Sequence, residues 1–350
     1  MDKPKVAVVI LTKDRPEFII RQLEYYKNMN SLHPVYILDS SNTANADKIK
    51  NYISNCRGKI IYLWIESGNQ PLNKVLDICK EKYFCFSGDD DYQIPDSLIA
   101  CAEFLENNSD FVSCGGKAVT VKLEGNGVCG EIKRISDYPR RELLDELSHE
   151  RFLNLMNNYC VYLFNVTRVE IGKKMWDYLP NFSDQMVEIY PVSRLAIAGK
   201  IKLIDNLQFI RQIHDSHNDL GTAFEWLVKD FKESYAQVKR RLPIPEKYIK
   251  QGFETIVRKT LNREYRSELK SQKTNIKTSA FRIVSAMFKK IPLFKKIYRR
   301  YIKPTLHWEV VQKDSKYFDS FYPVQRSLTA CVRGGAKGSV SESITGLKSL

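Results

Sequence analysis

The chain has 350 residues, more than a single small domain needs, of which 43% are hydrophobic and 27% are charged. These proportions are close to the average for soluble globular proteins, so they exclude a wholly disordered chain and one embedded in a membrane. The net charge is +14, but eleven Lys and Arg residues and no acidic residue lie between Lys270 and Pro304, so the rest of the chain is close to neutral.

The first half of the chain alternates β-rich runs with helical patterns, which is typical of parallel strands joined by crossover helices. Short runs rich in Val, Ile, Tyr and Phe predict strands at 6–11, 35–39, 59–65 and 83–87. Helical patterns predict helices at 16–28, 43–55, 71–82 and 95–106. We therefore expect an α/β fold.

The second half continues this alternation and then becomes helical. Further strands are predicted at 110–116, 161–165, 200–204 and 208–214. A glycine-bearing turn is predicted at 125–130, between two strands, and a largely helical stretch at 138–157. A helix at 184–198 follows Ser183, a favourable N-cap, and ends at Gly199. From residue 222 the pattern is almost wholly helical.

These patterns divide the chain into a domain at 1–221, a helical and basic region at 222–308 and an extension at 309–350. The last twenty residues are small and polar, which predicts a mobile tail. The eight cysteines form no C-x-x-C pair, which argues against a zinc site and a disulfide framework. Free buried thiols suit a reducing compartment, and no signal peptide or long apolar run is apparent, so we predict a cytoplasmic protein.

Acidic residues follow two of the predicted strands. Asp39 ends the second strand in VYILDSS, and the run Asp89–Asp91 ends the fourth in YFCFSGDDD. Ligands of open α/β sheets bind beyond the carboxyl ends of the strands, so both sets lie on the ligand edge. Adjacent carboxylates repel one another, and Mg²⁺ or Mn²⁺ together with a diphosphate would offset that charge. A solvated acidic turn is the alternative for the run by itself.

Four stretches resemble, in the right order, the family 2 type of glycosyltransferase with the GT-A fold. They are VVILTKDRPEFIIRQLEYY, ILDSS, GNQPLNKVLDICKEKYFCFSGDDDYQIPDSL and RQIHDSHN, and the similarity covers about residues 5–217. The resemblance implies a mixed, mostly parallel central sheet flanked by helices, with a C-terminal helical appendage. It also implies inverting transfer of a sugar from a nucleotide-sugar donor to a glycan or lipid-linked acceptor, in the synthesis of surface polysaccharide or glycoconjugate.

The same resemblance assigns nucleotide contacts to single residues. Thr12 and Arg15 resemble the loop after the first strand that contacts the nucleotide. Asp39 resembles the acidic residue that hydrogen-bonds the base. Asn73 resembles the polar residue of an R-N element, in which Leu72 replaces the usual Arg.

Contacts to the donor sugar and the metal are implied in the same way. Asp89 resembles the ribose or donor-sugar contact, and Asp91 with Asp90 resembles the ligands of a divalent cation. His214 lies near the position of an R-x-H element that touches the metal or diphosphate, although a lone histidine is more often structural. Arg211 is suited to neutralise the leaving diphosphate, since Arg binds phosphate in a bidentate manner.

The resemblance also implies a catalytic carboxylate at the start of a later helix, where it removes the proton of the acceptor hydroxyl. Asp184 in NFSDQMVEIY occupies that position, although a Glu-Asp pair is usual and this chain has Ser183 before Asp184. By position alone, Asp184 would complement the positive end of the helix dipole. Glu188, one turn further on, is the alternative base.

The basic segment at 270–304 has a composition of its own. Aromatic and aliphatic residues interleave with Lys and Arg in SAFRIVSAMFKKIPLFKKIYRRYIKP. This is typical of an amphipathic helix at an anionic membrane surface, kinked at Pro292. We predict peripheral association with the cytoplasmic face of a membrane. The alternatives are a helix that packs its apolar face on the domain, and a nucleic-acid contact, which no recognition motif supports.

Two other classes of protein share parts of this pattern. A non-catalytic protein on a decayed transferase fold would bind a membrane or nucleic acid, but the joint presence of Asp39, the acidic run, Asp184 and His214 favours an enzyme. A nucleotidyltransferase uses a similar sheet and acidic metal site. It would normally carry a glycine-rich basic loop after the first strand, and LTKDRPEF has no glycine.

Overall fold

A computed structural model describes most of the chain, namely residues 3–56, 58–66, 71–176, 186–214, 235–236, 238–259 and 305–330. Several predictions fall outside the described residues. They are the proposed base Asp184, the basic segment at 270–304 and the mobile tail at 331–350.

The described strands and helices follow the predicted alternation. The strands are β1 (Val6–Thr12), β2 (Val35–Asp39), β3 (Ile60–Trp64), β4 (Tyr83–Gly88), β5 (Tyr92–Gln93), β6 (Phe111–Leu123), β7 (Ile132–Asp137), β8 (Val166–Arg168) and β9 (Lys200–Ile213). The helices are α1 (Pro16–Asn28), α2 (Thr43–Ile53), α3 (Pro71–Ile78), α4 (Pro95–Asn107), α5 (Ser148–Asn157), α6 (Val169–Met175), α7 (Met186–Ala198), α8 (246–259), α9 (Leu306–Glu309) and α10 (Phe318–Leu328).

One sheet contains all nine of the described strands, in the order β3-β2-β1-β4-β8-β6-β9-β5, with β7 paired to β6. Strands β1 to β4 pair in parallel, and the long β9 runs parallel to β6. Strands β5, β7 and β8 join antiparallel over shorter stretches. Most paired positions are therefore parallel, and the expected mixed, mostly parallel sheet flanked by helices is confirmed.

Strand β1 shows why the sheet is covered on both faces. Its residues are almost continuously apolar, and in a strand successive side chains point to opposite faces. Val6, Val8 and Ile10 belong to one buried cluster with α1 and α4, whereas Ala7 and Val9 belong to another with α3, α5 and α7. A strand of this kind lies at the centre of a sheet.

Some predicted boundaries are wrong, most of them in the second half of the chain. The two strands predicted at 200–204 and 208–214 are one continuous strand, β9, which ends at Ile213, because β9 pairs with β6 along its length, with register shifts. Residues 161–165 are not a strand, and the strand begins at Val166 instead. Residues 138–147 are not helical, since Leu143 forms a β-bridge with Ile201 and the helix starts only at Ser148. Helix α3 ends at Ile78, four residues early.

The described C-terminal residues pack against the sheet domain. Ile249 and Phe253 of α8 belong to the buried cluster of α5, and Phe321 and Val324 of α10 belong to that of α1. The boundaries at 221/222 and 308/309 stay predictions. Within the described ranges, no helix is both long enough and apolar enough to span a membrane.

The described cysteines are free thiols at six positions and disulfide-bonded at one. The free ones are Cys56, Cys79, Cys85, Cys101, Cys114 and Cys160. Cys129 forms a disulfide whose partner lies outside the described residues. The expectation of free cysteines is therefore wrong at Cys129.

Candidate active site

The predicted ligand edge lies where the strand order reverses around β1. The chain runs outward from β1 through β2 to β3 and then returns to the other side of β1 with β4. Thr12 at the end of β1 pairs in register with Asp39 at the end of β2, and Leu11 pairs with Gly88 at the end of β4. The ends of three strands therefore meet at one place, which is the usual ligand position in such sheets.

The acidic run is buried at this edge. Asp89, Asp90 and Asp91 are only 3%, 5% and 3% exposed. Immediately after them the chain enters the short strand β5, which pairs with β9 and fixes the run from the other side. A solvated acidic turn is thereby excluded, because buried carboxylates need partners.

Arg15 holds two of the three carboxylates. Its Nη1 lies 2.7 Å from Asp89 Oδ1 and its Nη2 lies 2.9 Å from Asp90 Oδ2. The guanidinium rests on the ring of Phe18, 3.9 Å from the ring centroid. Thr12 donates its hydroxyl to Asp89 Oδ2 at 2.8 Å. The predicted nucleotide loop and the acidic run therefore form one connected network.

His214 joins this network from the end of β9. Its Nε2 lies 2.9 Å from Asp90 Oδ2 and 3.3 Å from Arg15 Nη2. Its ring and the ring of Phe18 are also packed edge to face, with 5.7 Å between the ring centroids. Thus the fold brings His214 against Asp90, which is 124 residues earlier in the chain.

Three polar residues that the sequence analysis did not single out support the acidic run. Arg21 Nη2 donates to the backbone carbonyl of Asp90 at 3.1 Å, and Gln22 Nε2 donates to that of Asp91 at 2.6 Å. The backbone N–H of Gln212 donates to Asp91 Oδ1 at 3.2 Å. Arg21 and Gln22 are buried on α1. A polar or charged residue within the apolar face of an amphipathic helix is the sequence signal that could have revealed them.

The three carboxyl groups differ in their proton affinity. Burial raises the pKa of Asp89 to about 6, with a further increase from Asp90, while Arg15 opposes it. Burial would also raise the pKa of Asp90, but the hydrogen bond from His214 and the charge of Arg15 hold it at about 2. Burial and the neighbouring charge of Asp90 raise the pKa of Asp91 well above its usual value. A cation beside Asp91 would favour its ionised form.

The donors at the site fit a divalent cation only if a ligand helps to bind it. Among the described residues, no group of three or more His, Cys, Asp and Glu side chains has the geometry to hold a metal ion. Mg²⁺ and Mn²⁺ commonly take one or two carboxylates and complete their shell with water and phosphate oxygens. Asp90 Oδ1 and Asp91 Oδ2 both turn towards Gly88, 2.9 and 3.1 Å from where its Cβ would be.

Gly88→Ala is expected to weaken the site without unfolding the protein. The new methyl group would push against the carboxylates of Asp90 and Asp91, and overpacking of this kind costs about 1–3 kcal/mol. We expect at least a roughly tenfold loss of metal-dependent turnover, because such a site tolerates little misplacement. Gly127→Ala is the control, since its Cβ would meet only Cys129 O at 3.5 Å. Equal turnover in both variants would contradict the placement of these oxygens.

Asp39 lies at the same edge but is fully buried. Its Oδ2 accepts from the Tyr62 hydroxyl at 2.5 Å and its Oδ1 accepts from the backbone N–H of Ser41 at 2.8 Å. Trp64 lies beside this pair, donates its Nε1–H to Ser41 O and is 55% exposed. The base contact of Asp39 stays a prediction. The side chain of Asn73, on α3, is not among the side chains that the structure describes.

Arg211 lies near the acidic run, and Glu188 lies near Arg211. Burial would lower the pKa of Arg211, but attraction by Asp91 raises it. The Tyr159 hydroxyl donates to Glu188 Oε1 at 2.9 Å, and burial raises the pKa of Glu188 while this bond and Arg211 oppose the rise. Arg211 therefore interacts electrostatically both with Glu188, the alternative base, and with Asp91 of the acidic run.

Comparison with known proteins finds a curated relative that is similar to part of this chain. Over 116 residues the chain is 28% identical to the uncharacterized glycosyltransferase MJ1057 of Methanocaldococcus jannaschii. The match covers 31% of this chain and 40% of that relative, so the chain spans about two fifths of the length of the relative. No family model matches the chain. The resemblance to glycosyltransferases is supported, and family 2 in particular stays a prediction.

Solved structures that superpose on this chain have low sequence identity to it. S. aureus TarS is 14% identical with a TM-score of 0.47, and the match covers 93% of this chain and 50% of TarS. The mannosyltransferase PcManGT from Pyrobaculum calidifontis, in complex with GDP-Man and Mn²⁺, is 10% identical with a TM-score of 0.45. That match covers 97% of this chain and 89% of PcManGT.

Proposed function

We propose that the protein is a glycosyltransferase that uses a nucleotide-sugar donor and transfers the sugar to a glycan or lipid-linked acceptor. The observation that carries this proposal is the buried network of Arg15, Asp89, Asp90 and His214 at the point where the strand order reverses. An acidic network of this kind suits a ligand that brings both a diphosphate and a cation. The partial sequence match to a glycosyltransferase agrees with it.

The donor would lie over the carboxyl ends of β1, β2 and β4. Arg15 is partly exposed, with 36% of its side chain accessible, so it can reach a phosphate while it orders Asp89 and Asp90. Thr12 and Asp89 would contact the nucleoside or the sugar, and Asp39 the base. Asn73 would add a polar contact from α3.

Asp91, Asp90 and His214 would hold a divalent cation, Mn²⁺ or Mg²⁺. When bound, such an ion stabilises the negative charge that develops on the leaving diphosphate. Arg211 would add positive charge near Asp91, whose negative charge attracts it. The protein would therefore place the cation ligands and the positive charge of Arg211 beside the leaving diphosphate.

The acceptor hydroxyl would be deprotonated by a carboxylate. We assign this role to Asp184, and Glu188 is the alternative. A base on the face opposite the leaving group gives inversion at the anomeric carbon. The proposed product is a surface polysaccharide or another glycoconjugate.

A panel of nucleoside diphosphates tests the donor site directly. We expect at least one of them to raise the melting temperature of the full chain when Mn²⁺ is present, since a ligand that binds only the folded state stabilises it. Arg15→Gln should lose this stabilisation because it breaks both ion pairs. No response to any nucleotide, with and without Mn²⁺, would overturn the proposal. Release of inorganic pyrophosphate from a nucleoside triphosphate would instead indicate a nucleotidyltransferase.

The basic segment would hold the enzyme at the cytoplasmic face of a membrane. A full-length chain with Lys289, Lys290, Lys295, Lys296, Arg299 and Arg300 changed to Gln should lose flotation with anionic liposomes, since each removed basic residue contributes about 1 kcal/mol. The same vesicles with only neutral lipids are the control. Equal flotation of this variant and the wild-type chain would reject this role.

A further inference from the structure

An exposed tryptophan lies at the ligand edge of the sheet. Trp64 ends β3, and 55% of the residue is accessible to solvent. A single exposed apolar residue is common in soluble proteins and indicates little by itself. Trp64 differs from such a residue in two respects, namely its position in the sheet and the contact that holds its ring.

The register of the sheet places Trp64 beside the proposed donor. Trp64 pairs with Asp39 on β2, and Asp39 pairs with Thr12 on β1. Adjacent strands lie about 4.8 Å apart, so the backbone of Trp64 is about 10 Å from that of Thr12, after which the Arg15 loop begins. An extended nucleoside diphosphate spans a similar distance between its base and its second phosphate. A donor with its diphosphate at Arg15 would therefore have its base near Trp64.

The indole ring is held at the turn that follows β2. Its Nε1–H donates to the backbone carbonyl of Ser41 at 3.0 Å. The Ser41 hydroxyl accepts from the backbone N–H of Asp14 at 2.7 Å, and Asp14 directly precedes Arg15. The Asp14 carboxylate also accepts from the backbone N–H of Asn42 at 2.9 Å. The turn that holds Trp64 and the loop that carries Arg15 are thus connected, which reduces the cost of ordering them around a ligand.

The polar groups next to Trp64 offer little accessible surface. Asp39 is fully buried, and its two carboxylate oxygens accept from the Tyr62 hydroxyl and from the backbone N–H of Ser41. The ring of Trp64 is the large accessible surface beside them. A base at this place would gain most of its contact area from the indole ring, in addition to the edge contact proposed for Asp39.

We propose that Trp64 binds the nucleobase of the donor by stacking on it. This inference rests on the proposed function, because it takes the ligand at this edge to be a nucleotide. Stacking uses the π-face, which every base has, so Trp64 would increase the affinity for all nucleotides by a similar factor. Preference for one base would come from contacts to the edge of the base and not from Trp64.

Titration calorimetry of the full chain with a panel of nucleoside diphosphates, in the presence of Mn²⁺, tests the stack. We expect Trp64→Leu to weaken binding by roughly tenfold to a hundredfold, which is the range for loss of one base–aromatic stack. Trp64→Phe keeps an aromatic ring and should bind within a few-fold of wild type. The order of preference among the bases should be the same in all three proteins.

Inorganic pyrophosphate with Mn²⁺ is the matched probe that lacks a base. Trp64→Leu should bind it as tightly as wild type, because the proposed diphosphate contacts lie on β1 and β4 and not on β3. A substitution that merely disturbed the edge of the sheet would weaken pyrophosphate as well. Leu147→Ala, which removes another exposed apolar side chain, before α5, is the control variant and should bind every probe like wild type.

Donor turnover gives a second measure of the same contact. A residue that binds the base equally in the ground state and the transition state changes KM and not kcat. We expect Trp64→Leu to raise KM for the preferred donor roughly tenfold or more and to keep kcat within a few-fold of wild type.

The outcomes separate this inference from the proposed function. Equal affinity of wild type and Trp64→Leu for every nucleoside diphosphate overturns the stack, and an equal loss for pyrophosphate also overturns it. If wild type binds no nucleoside diphosphate, the proposed function fails and the inference fails with it. A loss confined to ligands that carry a base, with recovery in Trp64→Phe, supports the stack.

Discussion

Replacement of Asp91 by asparagine is expected to lower sugar transfer by at least about a hundredfold and, without metal, to stabilise the fold. Burial and the charge of Asp90 raise the pKa of Asp91 well above its usual value, so ionised Asp91 destabilises the folded state. Asparagine keeps the shape and removes that charge. We expect the free energy of unfolding at pH 7 to rise by on the order of 1 kcal/mol.

The pH dependence of this effect has a defined sign. A carboxyl group whose pKa is raised by folding contributes stability that is fully present below its unfolded pKa and is lost as the pH rises through its folded pKa. Asp91→Asn should therefore match wild type in stability near pH 3 and exceed it at pH 7, as measured by urea denaturation at both values. Asp47→Asn, at an exposed position on α2, is the control and should change neither turnover nor this difference.

The gain in stability that Mn²⁺ causes is an independent test of the role of Asp91. Wild type should gain stability from Mn²⁺ with a nucleoside diphosphate, and Asp91→Asn should not, since a ligand carboxylate is missing. Unchanged turnover in Asp91→Asn would remove Asp91 from the site. A variant that is inactive but still stabilised by Mn²⁺ would show that Asp91 acts without binding the ion.

Loss of the catalytic base is expected to have the second large effect. Asp184→Asn should lower transfer by roughly a hundredfold to ten-thousandfold, which is the usual contribution of general acid–base catalysis. Donor binding should be unchanged, because the proposed base touches the acceptor. The measurements are transfer rate and the nucleotide-dependent rise in melting temperature.

Glu188→Gln is the matched comparison. Glu188 is bonded to Tyr159, and burial raises its pKa, which are properties that also suit a base. We expect Glu188→Gln to transfer sugar within a few-fold of wild type. A fully active Asp184→Asn together with an inactive Glu188→Gln would move the role to Glu188, and transfer by wild type should then increase as the pH rises through this raised pKa.

Much of the first half of the fold could be predicted because its signals are local. Helix α1 has the predicted bounds, since proline stands at its first position and the apolar spacing continues to Asn28. Strand β2 is as predicted because a short apolar run ends at Asp39. The error at 200–214 has the opposite cause. Asp205 and Asn206 suggest a loop, yet they remain in β9 because pairing with β6 continues past them.

The acidic run and its place at the end of a strand were determined by the sequence alone, because a buried strand followed by charged residues is a local pattern. Which groups meet that run was decided only by the tertiary structure. Arg15 lies 75 residues before Asp90, and His214 lies 124 residues after it. Local periodicity encodes which face of an element is buried, whereas contacts between distant residues depend on how the sheet orders its strands.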